Sequence, residues 1–142
     1  MADQETILLH ATAISVHGRG AVLTGPSGSG KSSLAIRLIA LGATLIADDQ
    51  CEFWAQDGGV HVGRPSSLPE KIEARGIGLI TVPTSPAAKV ELVVDMSLTE
   101  TARLPVEQKM SLLGHQIKMI RKAEADHFPS SILLYLRHGI AS

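Results

Sequence analysis

Eight consecutive residues, Gly25-Pro26-Ser27-Gly28-Ser29-Gly30-Lys31-Ser32, fit the spacing G-x-x-x-x-G-K-[ST] at every fixed position. Each fixed type has a chemical reason. Glycines let backbone N–H groups turn inward around phosphate oxygens, and a helix opening near Lys31 adds its positive end. Lys31 suits the β- and γ-phosphates of a nucleotide, and the Ser32 hydroxyl suits a Mg²⁺ position. Ser33 is counted with this loop as the next binding residue. A Gly/Ser-rich turn matching by chance is the bland alternative. The apolar run Ala21 to Thr24 before the loop and a helical pattern after it favour the phosphate reading. ATP with Mg²⁺ is the expected ligand.

Phosphoryl transfer needs carboxylates as well as a cradle, to hold metal or to accept the proton of an attacking hydroxyl. Asp48 and Asp49 follow the apolar run Thr44 to Ala47. That places them at the C-terminal end of the strand after the loop helix, the edge where ligands of open α/β sheets collect. A turn-forming pair is the competing explanation, although two adjacent Asp with no Gly or Pro beside them make a mediocre turn. His10 precedes the loop on a strand pattern, where a lone His is more often structural than catalytic. His17, His61, His115, His127 and His138 lack metal-ligand spacing and read as surface or structural residues. With a single cysteine, Cys51, a zinc site has no second sulfur ligand.

These groups must be positioned by an α/β scaffold. Residues 6–17 read as a strand interrupted near His10, Gly18 to Gly20 as a turn, and Ala21 to Thr24 as a buried strand. Leu34, Leu38 and Leu41, with Ala35 and Ile39, give helical spacing over Lys31 to Leu41, and Gly42 stands where a C-terminal glycine is expected. Thr44 to Ala47 is the next strand. Gln50 to Trp54 and Gly59 to Val62 pair about a turn at Asp57 to Gly59. Leu68 to Ala74 reads as a helical turn, Leu79 to Val82 and Val90 to Val94 as strands, and Val82 to Pro86 as a loop. Residues 110–127 fit strand or helix. Ser130 and Ser131 are read as caps of a final helix, Ile132 to Arg137, whose apolar face would suit assembly.

The chain has 142 residues, enough for one domain spanning 1–142. Hydrophobic residues at 44% and charged residues at 19% suit a globular protein, and aromatics at 3% leave the core to Leu, Ile, Val and Ala. A net charge of -1 argues against sequence-independent nucleic-acid binding. No run approaches the ~20 apolar residues of a membrane span, and the start MADQETILLH has no secretory pattern, so a cytoplasmic location is expected.

The stretch His10 to Glu52, HATAISVHGRGAVLTGPSGSGKSSLAIRLIALGATLIADDQCE, resembles the catalytic domain of HPr kinase/phosphorylase. A second block, Leu68-Pro69-Glu70 and then Ile72-Glu73-Ala74-Arg75-Gly76-Ile77-Gly78-Leu79-Ile80, resembles the family signature. The resemblance implies a P-loop kinase-like domain with a mixed sheet and flanking helices. It implies phosphorylation of a serine on HPr, the phosphocarrier of the sugar phosphotransferase system, or on an HPr-like paralogue. It also implies the reverse reaction with inorganic phosphate, and assembly as a hexamer. Residue by residue, Asp49 would be the base that takes the serine proton, His10 would orient the acidic pair, and Asp48 would support Asp49 or the metal. Lys31 would neutralise transferring charge, and Ser32 and Glu73 would hold Mg²⁺. Arg75 would position phosphate, and Arg103 in Ala102-Arg103-Leu104 is similar to a further catalytic arginine. Family members of full length carry an extra N-terminal domain, so this chain resembles a short form. Where they have a Gly-Arg-Asn loop, the nearest place here holds Ala125-Asp126-His127-Phe128-Pro129, just after Arg121 and Lys122. Two other readings stand beside this one: a P-loop kinase of a small hydroxyl substrate, and a nucleotide-responsive regulatory module.

Overall fold

A computed structural model describes residues 5–139. Strands β1 (Thr6–Leu9), β2 (Thr12–Val16) and β3 (Arg19–Thr24) lead into helix α1 (Lys31–Ala40). Next come β4 (Thr44–Ala47), β5 (Cys51–Gln56), β6 (Gly59–Gly63), β7 (Lys71–Ala74) and β8 (Gly78–Thr81). The long strand β9 (Ala87–Glu100), the pair β10 (Gln108–Leu112) and β11 (His115–Ala123), and helix α2 (Phe128–His138) complete the chain. The α/β architecture is a mixed sheet with two flanking helices, as expected.

The main sheet runs β1-β5-β6-β9-β3-β2-β4, and β10-β11 joins it through β9. Three strands are parallel and end at one edge: β3 pairs β9 with Thr24 beside Asp95, and β11 pairs β9 with Arg121 beside Asp95. The opposite edge of β9 from β3 is shared, by β6 at Ala87 to Lys89 and by β11 from Val93 onward. Burial on both faces explains why every residue of β2 is buried and why β3 and the middle of β9 carry the apolar runs Ala21 to Leu23 and Leu92 to Val94. Side chains alternate across the sheet. Ile14, Leu23, Leu92, Val94 and Met96 face the helices, where Leu34, Leu38, Ile132 and Leu136 cover them. Ala13, Val22 and Val93 face a second core with Phe53, Val60, Val62, Leu112 and Ile117.

Helix α1 stops through a Schellman arrangement. Gly42, at φ 115, donates to the Ile39 carbonyl at 3.0 Å, and Ala43 donates to the Leu38 carbonyl at 3.0 Å. The chain thereby turns straight into β4 and delivers Asp48 and Asp49 at its end.

Several expectations need correction. Leu68 to Ala74 is not a helical turn: Ile72 and Ala74 are buried while Lys71 and Glu73 are exposed, the two-residue period of a strand, and β7 pairs with β8 in a separate two-stranded sheet. The ambiguous 110–127 region is a strand hairpin in which Met110 faces Ile117, and β9 is far longer than Val90 to Val94. Arg19 and Gly20 belong to β3 rather than to a turn. In α2 the cap position is His127, with Pro129 in the first turn, so Ser130 and Ser131 lie inside the helix. The apolar face of α2 is not free for assembly either. Ile132, Leu133 and Leu136 are buried in this domain's own core, and Leu134 alone of that stretch is an exposed large hydrophobic. Among the described residues, no helix is long and apolar enough to cross a membrane.

Candidate functional site

The chain between β3 and α1 must reverse direction within the glycine loop. Gly25, Gly28 and Gly30 take φ values of 136, 85 and 98, a region that L side chains rarely adopt. At Gly25 space forbids a side chain as well. A Cβ there would stand 2.8 Å from Ser29 Oγ and 3.3 Å from Met96 Cβ. The turn is pinned by Ser29 N–H donating to the Pro26 carbonyl at 3.1 Å.

Lys31 is 7% exposed, and its ammonium donates to the carbonyls of Gly25 at 2.6 Å and Pro26 at 3.1 Å. The loop's own backbone therefore holds the cation at the cradle. No side chain caps α1, and its first turn contains no acid. The opening N–H groups, which have no partner within a helix, and the helix's positive end stay uncommitted to any carboxylate. That donor set fits a phosphate group.

On the β2-β4 side of the loop, Asp48 Oδ1 accepts two hydrogen bonds, from Ser32 Oγ at 2.9 Å and from Thr12 Oγ1 at 2.9 Å. One oxygen thus ties together α1, β2 and the end of β4. A hydroxyl beside a carboxylate fits Mg²⁺, which keeps several waters and takes one or two carboxylates plus substrate phosphates. Among the described residues, no group of three or more His, Cys, Asp and Glu could cage a metal alone.

Asp49 points elsewhere. Its φ is 79, its carbonyl accepts from Ala11 N–H at 3.2 Å, and its Oδ1 lies 3.1 Å from His10 Nδ1. Both side chains are accessible, the His10 ring at 47% and the Asp49 carboxylate at 74%. The arrangement gives a solvent-facing carboxylate oriented by an imidazole, open to an incoming hydroxyl. Beneath it, Cys51 Sγ donates to the Ala11 carbonyl at 3.3 Å. Burial, and secondarily the charge of Asp48, push its thiol up to about 12, so it stays protonated at neutral pH and is no nucleophile.

His10, Lys31, Ser32, Asp48 and Asp49 thus gather at one edge with the loop Gly25-Pro26-Ser27-Gly28-Ser29-Gly30, and Ser33 follows in the first turn of α1. Glu73 on β7 and Arg75 in the turn just after it are exposed, and β7 packs on α1 through Ile72. Arg103 is exposed in the connection between β9 and β10. Among the described residues, none of these three makes a hydrogen bond or ion pair to the loop or to the aspartates. Two participants went unrecognised in the sequence. Thr12, 0% exposed, is the second donor to Asp48, and its signal was one of two hydroxyls, with Ser15, inside the largely apolar stretch Ala11 to Val16. Met96, whose Cβ approaches the Gly25 position and whose Cε approaches Gly30, had no signal beyond its place in β9.

Residues 2–122 match the family described as HPr Serine kinase C-terminal domain. The chain is 36% identical over 126 residues to the HPr kinase/phosphorylase of Enterococcus faecalis, covering 83% of this chain and 39% of that one. It is 33% identical over 125 residues to the HPr kinase/phosphorylase of Bacillus velezensis, covering 79% and 40%. The chain therefore spans about two fifths of the length of these curated relatives. Among solved structures it is similar to the Hpr(Ser) kinase/phosphatase of Coxiella burnetii, with a TM-score of 0.77 at 24% identity, over 92% of this chain and 88% of that one. That likeness speaks to the fold, and the same mixed sheet carries the loop and the aspartate pair here. Matched over most of its length, the chain belongs to the HPr serine kinase C-terminal domain family.

Proposed function

We propose that this domain is an ATP-dependent protein-serine kinase, acting on the phosphocarrier HPr or an HPr-like paralogue in the cytoplasm. The observation that carries the reading is the split of the aspartate pair. Asp48 is bonded to the loop serine, whereas Asp49 faces solvent beside His10. A nucleotide-responsive module would need the first carboxylate alone. The accessible second carboxylate, with an imidazole beside it, supports transfer to a hydroxyl.

In this mechanism the Asp49 carboxylate takes the proton from the target serine as the serine oxygen bonds to the γ-phosphorus and the bond to ADP breaks. His10 holds Asp49 in place. Lys31 leaves its loop carbonyls for the phosphates and neutralises their charge, while Ser32 and Asp48 would hold Mg²⁺, which would offset further phosphate charge. The exposed Glu73 and Arg75 are assigned by resemblance to the metal and to inorganic phosphate, and Arg103 to the transferring group. In reverse, phosphate attacks phosphoserine, Asp49 returns the proton to the serine oxygen, and pyrophosphate leaves. The assembly proposed is a homo-oligomer, a hexamer by resemblance. Ile77 and Leu79, 80% and 64% exposed on the β7-β8 hairpin, supply the unpartnered apolar surface that α2 does not.

Transfer of radiolabelled phosphate from ATP onto purified HPr-like carriers tests the reading. Serine-linked label on a carrier is expected. ATP binding with no label on any HPr-like carrier would sink the substrate assignment and leave the ATP site standing.

A further inference from the structure

A bulge in the sheet decides where Asp48 points. Along β4, Leu45 packs against the helices, whereas Ile46 and Ala47 both face the second core. The pairing of β4 with β2 slips at that place: Ala13 stands beside Ala47 and Ile14 beside Leu45, so Ile46 is the extra residue. One extra residue turns those that follow it to the other face of the sheet. Asp48 thereby comes to the helix side. Thr12, which shares its face of β2 with Ile14, points there too, and Ser32 stands opposite in the first turn of α1.

Both hydroxyls give their single proton to the same oxygen. Asp48 Oδ1 accepts from Thr12 Oγ1 and from Ser32 Oγ, each at 2.9 Å, and among the described residues Asp48 Oδ2 accepts no hydrogen bond. Having donated its proton, Ser32 Oγ keeps its lone pairs free. We propose that Thr12 is a positioning residue: by occupying Oδ1 beside Ser32 it leaves Asp48 one oxygen for a metal, and so favours Mg²⁺ over Ca²⁺. The inference rests on reading Ser32 and Asp48 as the metal side of the phosphate site.

The chemistry of the two ions carries the distinction. Mg²⁺ demands near-ideal octahedral geometry and is bound through one or two carboxylates with phosphates and waters. Ca²⁺ takes more oxygens and accepts a carboxylate through both of its own. A carboxylate whose one oxygen already serves two donors offers a single ligand in a fixed direction. Thr12 can hold that direction because it is 0% exposed, so no water replaces its hydroxyl, and β2 lies between β3 and β4 inside the sheet. Its branched Cβ restricts χ1 as well. Without this hydroxyl Asp48 keeps only the bond from Ser32, and its carboxylate is free to turn and present both oxygens.

Calorimetry of ATP binding to the whole chain, in Mg²⁺, in Ca²⁺ and with chelator, tests this without any transfer assay. The parent should bind ATP at least tenfold more tightly with Mg²⁺ than with Ca²⁺. Thr12→Val should lose at least fivefold with Mg²⁺ and stay within twofold of the parent with Ca²⁺ and with chelator. Thr12→Ser, which restores the donor, should keep the parent's ratio. Equal affinities with the two ions in the parent would overturn the inference. So would a Thr12→Val variant with the parent's ratio or with equal losses in all three conditions, or a Thr12→Ser variant that loses as much as Thr12→Val. Each of these leaves the metal site standing. Parent affinity that is the same with either ion and with chelator would overturn the reading of Ser32 and Asp48 too. Should Thr12→Val fail to fold, Thr12→Ala removes the hydroxyl without adding volume and is read by the same ratio.

Discussion

Replacing Asp48 by alanine removes the oxygen that serves both Thr12 and Ser32, and the two donors do not suffer equally. Thr12 is 0% exposed, so its hydroxyl cannot turn to water and bears the cost of an unpaired buried group, about 1–3 kcal/mol. Ser32 is half-buried and regains water at small cost. Relief from holding a half-buried charge works in the other direction. The net expectation is a loss of about 2 kcal/mol, or about 1 M in the urea midpoint at the slope usual for small domains. Asp48→Asn keeps a carbonyl oxygen at the same place and should lose about 1 kcal/mol or less. Thr12→Val removes the donor itself, so combining it with Asp48→Ala should show a coupling of about 1 kcal/mol or more. Equilibrium urea unfolding followed by circular dichroism measures the parent and the four variants. A midpoint for Asp48→Ala within about 0.2 M of the parent, or additive losses with Thr12→Val, would refute the structural role given to this carboxylate.

Lys31→Ala should abolish transfer and weaken ATP binding, read by calorimetry alongside the transfer assay; near-normal transfer would remove the loop from the mechanism. Asp49→Asn should keep ATP binding and lose at least ~10²-fold in rate, the usual scale for a general base. If Asp48→Asn and Asp49→Asn instead lose nucleotide binding together, the pair is a metal site. Serine-phosphorylated carrier with Mg²⁺ and phosphate should yield pyrophosphate; transfer from ATP without pyrophosphate at any phosphate level would mark a one-way kinase. The Cys51 thiol, pushed from 9.0 to about 12 by burial, should stay unreactive to thiol reagents at pH 8 in the folded chain. Because its folded value is the higher one, its contribution to stability is complete below pH 9 and falls as pH rises toward about 12. Cys51→Ala should flatten that alkaline decline in urea midpoints.

The parts of the fold legible in the sequence are those whose burial leaves a period. The run before the loop, Leu34, Leu38 and their neighbours on α1, and the stop at Gly42 each follow from local chemistry. The loop itself is fixed by residue type at each position. Legibility fails where local pattern and tertiary role diverge. Lys71 to Ala74 alternates over only four residues, too short to outweigh the run from Leu68 that suggested a helical turn. Met110 to Ala123 mixes apolar and basic residues without a clear period. Its strands are set by the long strand β9, whose outer half supplies the backbone partners for β11. The apolar stripe of α2 was visible, but nothing local could say that Leu92, Val94 and Ile14 would cover it.

The division of labour proposed for Asp48 and Asp49 shows why a site can be found in sequence while its chemistry is not. Two identical neighbours carry no information on which binds and which accepts a proton. Backbone geometry separates them. With Asp49 at φ 79, its side chain leaves the direction of Asp48, at a strain of about 1–2 kcal/mol for a non-glycine residue. Asp tolerates that region better than most residues do. The bond from Ala11 N–H to the Asp49 carbonyl and the contact with His10 both act where the strain is stored. The strained residue is therefore the one exposed to solvent beside His10, and the relaxed one is tied to the scaffold through Thr12 and Ser32. Asparagine also tolerates the left-handed region, so Asp49→Asn keeps this backbone and alters the proton acceptor alone. A loss of rate without loss of stability in that variant would locate the chemistry at Asp49. A matching loss of stability would mean that its contact with His10 serves the fold first.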